Sequence, residues 1–250
     1  MKITILGSGT AVPSLERNSA GLLLQHGGIN SLFDCGYGTI HQLLRLGVTY
    51  HDIDRIYFTH NHPDHICDLI IFLFSSRYHL APREKNLEIV AGHGFRQFFD
   101  GLTNAFKHWL IPTTYNINIV EQGEETREYG GLSVTTRKVN HIDLSLGYRI
   151  TDPSGSTFAL SGDTGYCANM VALGKNADLL ILECSFPDSL AVKGHLTPKE
   201  AGRLARETGC KKLCLTHFYP PCDPEAISEA CRREYAGELI LARDLLEFEL

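Results

Sequence analysis

The chain has no CxxC pair, no low-complexity segment, no internal repeat and no apolar run long enough to cross a bilayer. Each absence removes a class of protein. A membrane-spanning helix needs about 20 consecutive apolar residues, and none is offered. Solenoids and propellers need self-similarity at a period of roughly 20–50 residues, which is missing. No Pro-, Gly- or Ser-rich stretch divides the chain, so residues 1–250 read as a single domain. Basic residues are also short: 23 Lys and Arg face 29 Asp and Glu, a formal net charge of −6. That balance argues against tight, non-specific nucleic-acid binding through bulk charge, and leaves only a local basic groove open.

The opening Met1-Lys2-Ile3-Thr4-Ile5-Leu6-Gly7 is broken by glycine too soon to read as a signal peptide. The eight scattered cysteines are therefore expected to be free thiols in the cytoplasm rather than a disulfide framework. Cys210 and Cys214 bracket a lysine pair, but with no second pair at matching spacing they read as small buried residues, not zinc ligands.

What is present is ample core material, 43% hydrophobic against 21% charged residues. Lys2 to Leu6 reads as a strand closed by Gly7-Ser8-Gly9-Thr10, a turn or a close backbone approach. Ala20 to Gln25 and Ile29 to Phe33 flank a hairpin signal, His26-Gly27-Gly28. Thr39 to Leu46 and Phe95 to Phe106 have helical spacing, and Ile66 to Phe74 reads as an apolar helix opening. Further strands are expected at 54–58, 87–91, 116–120, 132–139, 146–150, 157–160, 179–182, 213–216, 238–241 and 245–249. Thr197-Pro198-Lys199-Glu200 carries a capping box with proline at the first helical position, and a last helix is expected over 224–234. Two sheets packed face to face with helices outside would bury all these apolar runs.

The richest stretch is Thr59-His60-Asn61-His62-Pro63-Asp64-His65, at the carboxyl end of a strand, where open α/β sheets place their ligands. Imidazole and carboxylate are groups that Zn²⁺ accepts. In an extended strand end, His60 and His62 project to the same side and can share an ion, while Asp64 and His65 are aimed elsewhere. Two neighbouring ions are the expectation. His141, Asp163 and His217 each follow a later apolar run, which points to convergence on one rim.

The set His60-x-His62-x-Asp64-His65 with His141, Asp163 and His217 resembles the metallo-β-lactamase superfamily, and within it the ribonuclease Z branch. Leu6-Gly7-Ser8-Gly9-Thr10 with Pro13, Arg17-Asn18, Leu32-Phe33-Asp34-Cys35-Gly36, Gly147-Tyr148, Ser161-Gly162-Asp163-Thr164 and Leu215-Thr216-His217 continue the likeness in order. The resemblance implies a four-layer αββα sandwich, α/β in the wider α+β sense, with two mixed sheets and a dinuclear zinc site at one edge. It implies that His60, His62 and His141 hold one ion, that Asp64, His65 and His217 hold the other, and that Asp163 bridges them. Manganese or iron are the alternative metals. Glu183-Cys184-Ser185-Phe186 and Gly194-His195-Leu196-Thr197 resemble the segments that supply the family's glutamate–histidine pair, the histidine protonating the leaving oxygen; Leu182 stands where the family often has a further histidine. His195 also reads as a mere neighbour of the cap at Thr197. Asp34 reads equally as an acceptor for a ligating imidazole N–H or as a turn residue.

The implied activity is hydrolysis of a phosphodiester by a metal-activated hydroxide, with Asp64, His195 and Glu183 as catalytic residues. The substrate would be an RNA 3′ end, a cyclic nucleotide or a small diester. Only a hairpin's length separates His141 from Asp163, where tRNA-processing members of the family often carry a protruding arm, which favours smaller diesters. A lactone or thioester hydrolase, a mononuclear iron oxygenase and a silent metal-binding subunit are the competing readings. A homodimer is expected by family analogy alone, and no membrane contact is expected.

Overall fold

In a computed structural model describing residues 1–250, the apolar runs resolve into fourteen strands and seven α-helices. The strands are β1 (Lys2–Gly7), β2 (Gly21–His26), β3 (Ile29–Phe33), β4 (Ile53–Tyr57), β5 (Leu87–Gly92), β6 (Ile117–Gln122) and β7 (Glu125–Tyr129). They continue with β8 (Leu132–Lys138), β9 (Leu146–Thr151), β10 (Thr157–Leu160), β11 (Leu179–Glu183), β12 (Lys212–Thr216), β13 (Glu238–Leu241) and β14 (Glu247–Glu249). The helices are α1 (Thr39–Arg45), α2 (Pro63–Ile66), α3 (Asp68–Ser75), α4 (Phe95–Phe106), α5 (Ala168–Gly174), α6 (Pro198–Thr208) and α7 (Pro224–Arg232).

Two mixed sheets of seven strands form, in the orders β14-β1-β2-β3-β4-β5-β6 and β13-β12-β11-β10-β9-β8-β7. In the first, the pairs from β3 to β6 are parallel; in the second, the pairs from β10 to β13 are parallel. The inner faces meet through Ile3, Ile5, Leu22, Phe33 and Tyr57 on one side and Val134, Tyr148, Phe158 and Ile181 on the other. Leu23, Leu32 and Ile56 point the opposite way, onto α1, α3 and α4 through Leu43, Leu69 and Phe95. Leu180, Leu213 and Leu215 likewise pack on α5, α6 and α7. Leu22–Leu24 of β2 and the whole of β11 are buried on both faces, which is why these stretches read as apolar runs rather than alternating ones. The result is the expected αββα sandwich. At its centre the Phe33 and Tyr57 rings stack at 4.6 Å, with Tyr148 edge-on to both. The buried Tyr148 hydroxyl donates to the Phe58 carbonyl at 2.7 Å, so its polar end is satisfied.

Three local expectations are corrected. The helix opening at Ile66 begins earlier, at Pro63, and is broken into α2 and α3, so Asp64 and His65 sit in a helical turn rather than a loop. Proline at the first position fixes φ where the N–H would be orphaned anyway. Strand β7, a polar sheet edge, and the short α5 were not anticipated. The capping box at Thr197 and Glu200 forms as expected. No helix is long and apolar enough to cross a membrane, and all eight cysteines are free.

Candidate metal centre

The site collects at the strand ends of one sandwich edge. His60, His62, Asp64 and His65 follow β4, His141 follows β8, Asp163 follows β10, Glu183 ends β11 and His217 follows β12. The two sheets interlock there: the Leu146 N–H donates to the Thr59 carbonyl at 2.9 Å. Gly162, at φ 58°, lies so close to Thr59 that a Cβ would stand 2.5 Å from the threonine Cβ. Asp34 and His217 take left-handed φ values of 60° and 62°, strained for residues with a side chain. His217 is held in that conformation as its N–H donates to the Ser8 carbonyl at 3.0 Å. The opening glycine loop thus serves as a wall of the site: Gly7 and Gly9 press on the carbonyls of Ser19 and Asn18.

The hydrogen bonds fix which nitrogen of each ring carries its proton. Thr59 Oγ1 donates to Asp34 Oδ2 at 2.8 Å, so it must accept from His60 Nδ1 at 3.0 Å. His65 Nδ1 donates to the same Asp34 oxygen at 2.8 Å. His141 Nδ1 donates to the Gly194 carbonyl at 3.0 Å. Ser185 Oγ gives its proton to Glu183 Oε2 at 2.6 Å and accepts from His217 Nδ1 at 3.0 Å. With these four Nδ1 atoms donating, the rings of His60, His65, His141 and His217 are left to turn Nε2 inward.

Those nitrogens face carboxylate oxygens and one another. Asp163 Oδ2 lies 3.8 Å from His60 Nε2 and 3.9 Å from His141 Nε2, and His62 Nδ1 lies 3.1 Å from His141 Nε2. On the other side, Asp163 Oδ1 lies 3.3 Å from His65 Nε2 and 3.4 Å from His217 Nε2, and Asp64 Oδ2 lies 3.3 Å from His217 Nε2. His60 Nε2 and Asp163 Oδ1 are buried with no hydrogen-bond partner. Orphaned acceptors at such depth are costly, and a cation is what satisfies them. Tetrahedral Zn²⁺ with bonds of about 2.0–2.1 Å sets its nitrogen ligands roughly 3.3–3.4 Å apart, close to the separations seen. The two expected groups, His60, His62, His141 with Asp163, and Asp64, His65, His217, each have donor atoms within 4.8 Å of one another, as do Asp163, His195 and His217. Asp163 presents one oxygen to each.

The electrostatics agree. Burial drives His60 and His141 towards the neutral form, aided by neighbouring imidazoles. His65 is pulled the other way: burial opposes its charge, but Asp163 and Asp34 outweigh it. Burial disfavours the Asp163 charge too, yet His217 and His65 hold that carboxyl well below its usual range. The cluster is therefore a place where positive charge is wanted.

Beside it, His195 Nδ1 lies 2.9 Å from Glu183 Oε1, leaving Nε2 as the nitrogen that can meet a substrate. Burial opposes protonation of His195, but Glu183 raises its pKa, while burial raises that of Glu183 against the pull of His195. Glu183 is buried and touches the site only through His195, Ser185 and Thr164. Ser185, Thr59 and the Gly194 carbonyl are the contributors that sequence reasoning missed. Each lies within a stretch named above, but nothing in the order of residues says which ring it will meet.

The profile of the Beta-lactamase superfamily domain matches residues 30–218. A Ribonuclease Z of Streptomyces coelicolor is 32% identical, with 98% of this chain and 96% of that protein covered. The chain belongs to the metallo-β-lactamase superfamily, in its ribonuclease Z-like branch. As in other members, its fold carries a metal-dependent hydrolase. The crystal structure of the metallo-β-lactamase fold protein YhfI from Bacillus subtilis superposes with a TM-score of 0.88 at 26% identity, covering 100% of this chain and 99% of that one. Human tRNase Z, short form, gives 0.81 at 26% identity, covering 100% and 99%. The alignment with the Streptomyces protein runs over 300 positions against 250 residues here, so at least 50 of its positions have no counterpart. The alignment with YhfI runs over 248. Between His141 and Asp163 this superfamily member has only β9, the Asp152–Gly155 turn and β10.

Proposed function

We propose that this chain hydrolyses a phosphodiester on a pair of zinc ions held by His60, His62, His141 and Asp163 on one side and Asp64, His65, His217 and Asp163 on the other. The observation that carries this reading is the set of four inward lone pairs, fixed by four outward Nδ1 donors, around a carboxylate that presents an oxygen to each group. Bound there, the metals supply Lewis acidity that activates water and neutralises charge on the phosphoryl oxygens.

The chain's own residues do the rest. Asp64, in the first turn of α2, holds one oxygen towards His217 and is placed to orient a water at the site. His195, protonated through its bond to Glu183, donates from Nε2 to the departing oxygen. Glu183 does not meet the substrate; it orients and charges His195. The buried collar of Thr59, Asp34 and Ser185 keeps the rings of His60, His65 and His217 in their working tautomers, and the Gly194 carbonyl does the same for His141. Relatives named ribonuclease Z support a nucleic-acid or nucleotide diester, while the direct run from β9 to β10 and the net charge of −6 favour a small one.

The test is a screen of the zinc-loaded protein against precursor tRNA, cyclic nucleotides and small phosphodiesters. Turnover of a small diester at a higher kcat/KM than precursor tRNA is expected. Turnover of lactones or thioesters with no diester cleaved would replace this reading.

A further inference from the structure

Two aromatic rings at the mouth of the site are left unused by this chemistry. Phe186, just after β11, and Tyr219, just after β12, stack with centroids 4.6 Å apart and planes 17° from parallel. Both stand edge-on to His195, at 5.6 and 6.4 Å, and Tyr219 is edge-on to His217 at 5.8 Å. The backbone fixes the pair, since the Tyr219 N–H donates to the Ser185 carbonyl at 3.3 Å and the Tyr219 carbonyl accepts from the Cys222 N–H at 2.9 Å. Neither ring is buried. Beyond Tyr219 opens a cavity of about 400 Å³ lined by Pro13, Arg17, Phe218, Tyr219 and Cys222, within the usual range of roughly 300–1,000 Å³ for small-ligand pockets.

We propose that Phe186 and Tyr219 form the wall of a leaving-group subsite that takes a planar ring, a nucleobase or an aryl group, beside His195. The inference rests on the phosphodiesterase reading and names its substrate class. His195 marks the side from which the leaving oxygen departs, and the paired rings stand on that side. Rings held by backbone bonds lose little freedom on stacking, and a chain of net charge −6 draws little affinity from distant phosphates. Selectivity then comes from the group next to the scissile bond. Packing that served only to hold His195 upright would affect every substrate alike, and that difference can be measured.

The experiment compares a dinucleoside monophosphate with its counterpart lacking the base on the leaving-group sugar, using the zinc-loaded protein. The phosphate, sugar and leaving oxygen are the same in both. Stacking of one base predicts a kcat/KM ratio of about 5- to 150-fold in favour of the base-bearing diester. Phe186→Leu and Tyr219→Leu should bring the ratio close to one, and Tyr219→Phe should keep it. A ratio near one in the unaltered protein, or variants that slow both substrates in parallel, would overturn the subsite. Binding of AMP against ribose 5-phosphate gives the same comparison without turnover. If no diester is cleaved, the phosphodiesterase reading fails, and equal affinity for those two probes rejects the platform separately.

Discussion

The Thr59 hydroxyl donates to Asp34 at 2.8 Å, and that one bond decides the tautomer of His60. Its proton spent on the carboxylate, the threonine oxygen can only accept from His60 Nδ1. His65 is fixed from the same carboxylate oxygen. Thr59 and Asp34 thus set two inward nitrogens, one for each metal group, without touching either.

Thr59→Val keeps the shape and removes the acceptor. His60 Nδ1–H is then left buried without a partner, and metal affinity should fall about 10- to 100-fold, as for other partners of ligating histidines. Thr59→Ser should retain most of it. Competition against a chromogenic zinc chelator measures this, and equal affinities for Thr59→Val and the unaltered protein would remove the relay from the account.

His195→Ala should cost about 10²- to 10⁴-fold in rate with an alkoxide leaving group, the usual worth of a positioned acid. The loss should be much smaller with p-nitrophenolate, which departs without a proton. Glu183→Gln should shift the pH profile and lower the rate with the poor leaving group in the same sense, because Glu183 acts through His195. Equal losses on both leaving groups would assign His195 to positioning rather than proton transfer.

A third expectation concerns the far end of the chain. Asp244 accepts from the Ser8 N–H and hydroxyl, from both nitrogens of Asn18 and from Gln42, at 2.8–3.0 Å. Ser8 in turn carries the backbone of His217. Asp244→Ala strands several donors at once and should destabilise the fold by roughly 2–4 kcal/mol in urea unfolding. A loss below about 0.5 kcal/mol would show that the loop is held without it.

The clustering of these histidines and aspartates was legible in the sequence because chemistry and local geometry coincide: His60 and His62 stand two apart after one strand, and each later member closes an apolar run. The sandwich was legible because strands buried on both faces must read as unbroken apolar runs. The tautomer collar was not, since Thr59 and Ser185 are ordinary hydroxyls until the two sheets meet. The Phe186–Tyr219 pair was hidden for the same reason, as its rings come from loops after different strands. Strand β7, Glu125–Tyr129, is largely polar and paired on one side only, so little in its residues marks it as a strand.

The most direct test titrates zinc into the metal-stripped protein while hydrolysis of bis(p-nitrophenyl) phosphate is followed. The proposed pair of zinc ions predicts that turnover rises until two equivalents of zinc per chain are bound and then levels off. No diester turnover at any zinc loading, or saturation of the site by a single iron, would contradict it.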